Sequence, residues 1–136
     1  FQYQVLLKPS PIDVVEQYFD SLRDGNGNIC DPLITTVKGG EFTKAEAEWA
    51  YARFLIPLNQ AVAAAAHRNK WTLVPAPTGF RAHGYCADSS WIVPVSWSLW
   101  NQWSAAGTMH ANLLGHQAQR LNVIAEMKRR WIDGET

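Results

Sequence analysis

The chain has 136 residues, with 12 Lys plus Arg against 12 Asp plus Glu, so its formal net charge is zero. Such a balance lacks the basic face that displaces counterions from phosphates, and nucleic acid is not an expected partner. Apolar residues make up 47% and charged residues 18%, which excludes a disordered chain and fits a single domain over residues 1–136 with a core of its own.

No apolar run reaches the ~18–20 residues that span a bilayer, so no transmembrane segment is expected. Residues 1–8 lack the basic start of a signal peptide. Phe1 stands where a Met would begin translation, and further chain upstream is expected.

Residues 12–19 read as a strand, with Pro9 and Pro11 as breakers before it. Residues 23–31, RDGNGNICD, form a turn-rich loop. Thr43 and Glu46 have the spacing of a capping box, and a helical pattern runs from there to about Asn69. Pro57 should kink that helix or split it in two.

Residues 71–75, WTLVP, read as a second strand. Residues 78–106 look like a long loop with at most short helices, a length that is usually functional. Asn112 can cap a last helix ending near Trp131, with Leu113, Leu114, Leu121, Ile124 and Met127 as its apolar positions. The basic run Lys128, Arg129 and Arg130 in its final turn suits the helix dipole.

Strand, helix, strand, loop, helix is a βαβ unit plus one helix, hence an α/β fold with a parallel pair and a right-handed crossover. Two strands make a poor sheet. An exposed edge is therefore expected, where the chain pairs with a missing N-terminal half or self-associates.

Four of the seven Trp residues fall close together: Trp91, Trp97, Trp100 and Trp103. They read either as core and loop packing or as an apolar wall beside a ligand. The clearest chemical candidate is His110, set in a loop just before a helix. In open α/β sheets that position faces the cleft at the strand ends. Imidazole is the side chain most often used as a general base near neutral pH.

The segment GTMHANLLGH, from Gly107 to His116, resembles the last block of the SGNH/GDSL hydrolases, where the pattern is D-x-x-H-P, extended as G-T-x-H-P-N-x-x-G-H in secreted bacterial members. YFDSLRDGNGNICD, PLNQAVAAAA and HGYCA also resemble stretches of that family, in the family's order. The likeness runs from about residue 12 to 131 and matches the C-terminal half of such an enzyme.

The resemblance implies a flavodoxin-like three-layer α/β/α sandwich with a parallel sheet, of which this chain is the C-terminal part. It implies an ester hydrolase without a cofactor, acting on an ester or acylated small molecule. His110 would activate a serine that lies upstream of this chain, because the family's serine and oxyanion-hole blocks do not occur here. Gly107, Asn112 and His116 become structural residues of the block. Arg81, His83, Trp91 and Trp97 are candidate pocket walls.

Two positions depart from the family pattern. Gly107 occupies the place of the acid that orients the histidine, so a backbone carbonyl is the expected substitute; loss of the acid weakens catalysis without abolishing it. Ala111 replaces Pro, at a cost of a few tenths to ~1 kcal/mol through unfolded-state entropy. Phe19-Asp20-Ser21-Leu22 imitates a G-D-S-L nucleophile block. We read it as a coincidence, because Phe19 replaces the glycine and too little chain separates Ser21 from His110.

No metal is expected. His116 follows His110 by six residues rather than four, so the two do not clip a metal from one helix face, and a zinc site with His83 has little to support it. Cys30 and Cys86 lie in loops after the two strands, which parallel pairing sets side by side. They form a disulfide in an exported protein, secreted or periplasmic in a bacterium, or stay as two buried thiols in a cytosolic one. The competing function is a non-catalytic carbohydrate- or lipid-binding module using the Trp-rich loop, or an inactive remnant of the enzyme.

Overall fold

The computed structural model describes residues 13–31 and 43–131, and the backbone of 33–34 and 41–42. The elements in chain order are β1 (Val14–Glu16), β2 (Leu33–Ile34), β3 (Glu41–Phe42), α1 (Lys44–Ala50), a π-helical turn (Tyr51–Leu55) and α2 (Ile56–Asn69). There follow β4 (Thr72–Val74), a 3-10 turn (Thr78–Arg81), α3 (Val95–Gln102) and α4 (Leu113–Trp131). Pro9, Pro11, Ile12 and the residues at the chain start lie outside the described residues.

The chain is mixed α/β, and β1 pairs with β4 in parallel, Val14 opposite Thr72 and Glu16 opposite Val74. The expected βαβ unit is thus present. A separate antiparallel pair joins β2 to β3. Among the described residues no strand borders the outer edge of β1, so the sheet is two strands wide.

The first strand is shorter than the sequence pattern indicates, three residues instead of eight. Its partner sets the limit. β4 is itself three residues long and runs into Pro75, which has no N–H for a ladder. One further bond, from the Gln17 N–H to the Val74 carbonyl at 2.9 Å, ends the pairing.

The capping box forms as its spacing requires. Thr43 Oγ1 accepts from the Glu46 N–H at 3.2 Å, and the Thr43 N–H donates to Glu46 Oε2 at 2.8 Å. That backbone donor holds the Glu46 carboxyl below its usual range. The effect of Pro57 is milder than a break. The helix passes through the π turn, where the Ile56 N–H reaches back five residues to the Tyr51 carbonyl, and Pro57 falls in the first turn of α2. A proline fits there because the wider π turn offsets the preceding backbone, where an ideal α-helix would set a carbonyl against the ring and ask for the missing N–H.

The loop from 78 onward contains only the 3-10 turn and α3. Its inner side makes the fully buried cluster of Phe80 and Ile92 with Ala111, against which Phe19, Tyr85, Trp91 and Met109 pack. Phe19 stacks on Phe80 at 3.9 Å, and Trp91 meets Phe80 edge-on at 5.3 Å. A disulfide joins Cys30 to Cys86, with Cα atoms 5.9 Å apart.

Two packing expectations are corrected. Of the four clustered Trp residues only Trp91 enters the core; Trp97, Trp100 and Trp103 are exposed on and after α3. On α4 the apolar positions Leu113, Leu114, Leu121, Ile124 and Met127 are exposed too, because the two-stranded sheet does not extend beneath them. The basic run at the end of α4 serves a side chain as well as the dipole: Arg129 and Arg130 both bind Glu126, at 2.6 and 2.5 Å. Among the described residues no helix is long and apolar enough to cross a membrane.

Candidate functional site

His110 sits in a loop that is pinned on both sides. The Met109 N–H donates to the Val93 carbonyl at 3.1 Å, the Val93 N–H to the His110 carbonyl at 2.8 Å, and the Asn112 N–H to the Trp91 carbonyl at 2.8 Å. The loop therefore runs as a short antiparallel partner of residues 91–93, with Ile92 opposite Ala111. Met109 adopts a left-handed backbone, φ 70°. A side chain rarely does so, at a cost of about 1–2 kcal/mol. Bonds from both neighbouring residues hold it there, and the bend turns His110 outward.

Asn112 fixes the helix that follows. Its Oδ1 accepts from the Leu114 and Gly115 N–H groups at 3.0 and 3.1 Å, and its Nδ2 donates to the Ser90 carbonyl at 2.8 Å. Gly115 then passes so close to the 91–93 segment that a Cβ on it would lie 2.5 Å from the Trp91 carbonyl oxygen. The asparagine and glycine spacing is thus what lets α4 start directly against the core.

Two hollows meet at His110. The first, about 540 Å³, is bounded by residues 18–22 after β1, by Tyr51, Phe54, Leu55 and Leu58 of the π turn and α2, and by Met109, His116 and Gln119. The second, about 730 Å³, is bounded by Val93, Pro94, Trp97, Gln102 and Gly107 and by the first turn of α4, including Asn112 and His116. The first hollow is mainly apolar, with the polar groups of Asp20, Ser21, His110 and His116 on its wall.

The segment after β1 is held by Asn59. Its Oδ1 accepts from the Tyr18 N–H and its Nδ2 donates to the Tyr18 carbonyl, both at 2.8 Å. One side chain thereby replaces a strand partner. Asp20 is bound to Arg23 at 2.5 Å, and Arg23 lies over the Tyr51 ring, 4.7 Å from its centre. The Asp20 carboxylate is thus engaged by a guanidinium. Among the described residues nothing hydrogen-bonds the His110 ring; the Gly107 carbonyl accepts the His110 backbone N–H, at 3.4 Å.

The other residues singled out by the sequence are dispersed. Trp97 shares the second hollow with His110. Arg81 instead lines a hollow with Gln17, Asn59 and Thr78. His83 stacks on Trp91 at 4.2 Å, with Nδ1 2.9 Å from Ser89, and faces a different depression beside Cys86 and Asp88. Trp91 lies between His83 and Phe80 and borders none of these hollows. Among the described residues no group of three His, Cys, Asp or Glu is disposed to hold a metal ion.

Sequence reasoning did not find Tyr18, Tyr51, Phe54, Leu58 and Gln119 as neighbours of His110. They come from three distant segments, and no local spacing links them. Ser21, in the segment that imitates a nucleophile block, borders the same hollow as His110. No protein-family model, no curated protein and no solved structure matches the chain at a significant level.

Proposed function

We propose that the chain is the histidine-bearing part of an SGNH-type ester hydrolase, in which His110 is the general base for a serine supplied upstream. The observation that carries the reading is the setting of His110. It stands on a pinned loop, at the meeting point of two hollows, next to the residues that follow the parallel strand β1.

Three of the four resembling stretches are also joined to one another: the Tyr85 N–H donates to the Ser21 carbonyl at 2.8 Å, Cys86 is bonded to Cys30, and Asn59 holds Tyr18. Residues of separate motifs that touch one another are expected of a common site rather than of chance likenesses.

In this reading the serine attacks the ester carbonyl while His110 takes its proton. His110 then returns the proton to the departing alcohol, and in a second step takes a proton from water, which attacks the acyl-serine and releases the acid, before giving it back to the serine oxygen. Donors for the oxyanion belong to the upstream blocks. The two-stranded sheet is part of a three-layer flavodoxin-like sandwich, and β1 pairs with a strand from the preceding half. The disulfide supports an exported protein, secreted or periplasmic.

The exposed Trp residues of α3 favour a second reading, a non-catalytic binding module. Kinetics of the full reading frame separate the two. With a soluble p-nitrophenyl ester, His110→Ala is expected to lower kcat by roughly 10³-fold or more and leave KM within a few-fold. Unchanged kcat in a folded variant, or no hydrolysis by the parent, would reject the hydrolase.

A further inference from the structure

We infer that the hollow beside Arg81 is an anion subsite that holds the carboxylate of a small ligand. The subsite stands on its own observations. That the carboxylate belongs to a substrate, a half-ester of a dicarboxylic acid, rests on the hydrolase reading above.

The hollow, about 370 Å³, lies at the carboxyl ends of the two parallel strands. Gln17 and Tyr18 follow β1, and Pro77 and Thr78 follow β4. Its other walls are the π turn and the side of α2 that carries Asn59 and Gln60. Every wall therefore belongs to the βαβ unit or to the turn directly after it, and no further segment is needed to form the hollow. Open α/β sheets bind ligands at this end of their strands.

The fold fixes the base of Arg81. The residue ends the 3-10 turn, in which Phe80 is fully buried. Gly79 lies so close under Trp91 that a Cβ on it would be 2.6 Å from the indole ring. The Ala82 N–H donates to the Gly79 carbonyl at 3.0 Å, and the His83 N–H to the Phe80 carbonyl at 3.2 Å.

Charge identifies the ligand. Among the described residues no hydrogen bond or ion pair engages the Arg81 side chain. The one acid on the hollow's wall, Asp20, is bound to Arg23 at 2.5 Å, so it does not neutralise Arg81. Arg81 is also the one basic residue among the described residues on that wall. A guanidinium binds a carboxylate through two parallel hydrogen bonds. A phosphate group carries up to two charges and would ask for a second cation here. One positive charge matches one carboxylate.

The subsite connects with His110. Tyr18, Asp20, Tyr51 and Leu55 border both this hollow and the larger, mainly apolar one that His110 lines. A ligand anchored at Arg81 can therefore run along an apolar wall toward the imidazole. An acyl chain with its ester at one end and a carboxylate at the other has its groups in that order.

The test is calorimetric titration of the full reading frame with adipamate and suberamate. These chains of six and eight carbons carry a carboxylate at one end and an amide in place of the ester. Their neutral counterparts are the ω-hydroxy amides of equal length. At low salt at least one of the two carboxylates is expected to bind about tenfold more tightly than its counterpart, the worth of one charge-assisted pair at an exposed arginine. The preference should vanish in Arg81→Gln and return in part in Arg81→Lys. Far-UV circular dichroism verifies that both variants fold.

Equal binding of charged and neutral ligands by the parent overturns the subsite, as does a preference that survives Arg81→Gln. Inorganic phosphate that displaces the carboxylate ligand where acetate does not would overturn the carboxylate in favour of a phosphate. None of these readouts breaks a bond, so they judge the subsite alone. For the substrate, the p-nitrophenyl half-ester matching the preferred amide should show a lower KM than the p-nitrophenyl ester of the uncharged acid of equal length, and equal KM values would overturn that part. Failure of the hydrolase reading appears separately, as no hydrolysis of either ester.

Discussion

Replacing Gly115 by Ala should destabilise the chain, although the same change in an open helix would stabilise it. In an exposed helix interior the substitution gains about 1 kcal/mol. Here the new methyl would lie 2.5 Å from the Trp91 carbonyl oxygen, 3.0 Å from Ala111 Cβ and 3.2 Å from Phe80 Cζ. The first contact is with backbone, and that same carbonyl accepts the Asn112 N–H at 2.8 Å. The helix start must therefore move away from the 91–93 segment. Overpacking of this kind costs about 1–3 kcal/mol, and a disturbed Asn112 cap adds about 1 kcal/mol. After the propensity gain, a net loss of roughly 1–3 kcal/mol remains. Urea unfolding followed by circular dichroism reads it as a lower midpoint at unchanged slope. Ala125→Gly, exposed on the same helix, calibrates propensity and should cost about 1 kcal/mol. A Gly115→Ala chain more stable than the parent would refute the close approach of α4 to Trp91, and with it the pinned position of His110.

Other outcomes follow from the same contacts. The disulfide closes a separation of 56 residues, so Cys30→Ser with Cys86→Ser should cost about 4 kcal/mol on the chain-entropy estimate; equal urea midpoints for the two chains would show the bridge absent. Lys70 ends α2 in an exposed left-handed conformation, φ 58°. Lys70→Gly should therefore stabilise by about 0.5–1 kcal/mol, whereas a loss would contradict that backbone.

Arg129 and Arg130 hold the Glu126 carboxyl at about 2, down from 4.5. A lowered carboxyl stabilises the fold above its unfolded value and loses that contribution as pH falls from about 5 to about 2. Both arginines are partly exposed, so the contribution is about 1 kcal/mol. Glu126→Gln should flatten the acid limb of the pH–stability curve by that amount, and an unchanged limb would show the pair inactive.

Local rules made part of this structure legible. Thr43 with Glu46 and Asn112 with its two following N–H groups are decided within one helical turn, and both form as spaced. Parallel pairing of β1 with β4 follows from an intervening helix, and it brings the loops of Cys30 and Cys86 together. Other features depend on what lies across the fold. Leu121 and Ile124 have the periodicity of a core face, yet their burial needs sheet beneath them. Arg81 and His83 are two residues apart in the chain, but the 3-10 turn and the bends after it aim them into separate hollows. The wall of the first hollow joins residues 18–22 to Phe54 and to His116, a relation with no sequence period. The π turn before Pro57 is the helix's own accommodation of a residue that read as a break.

The most direct measurement on the proposed chemistry is labelling of the full reading frame with a fluorophosphonate, which reacts with serines activated by a histidine base, followed by peptide mass mapping. A labelled serine upstream of Phe1, with labelling lost in His110→Ala, is the result that the hydrolase reading predicts. Labelling that persists without His110, that falls on Ser21, or that fails to occur in the folded full-length protein would contradict it.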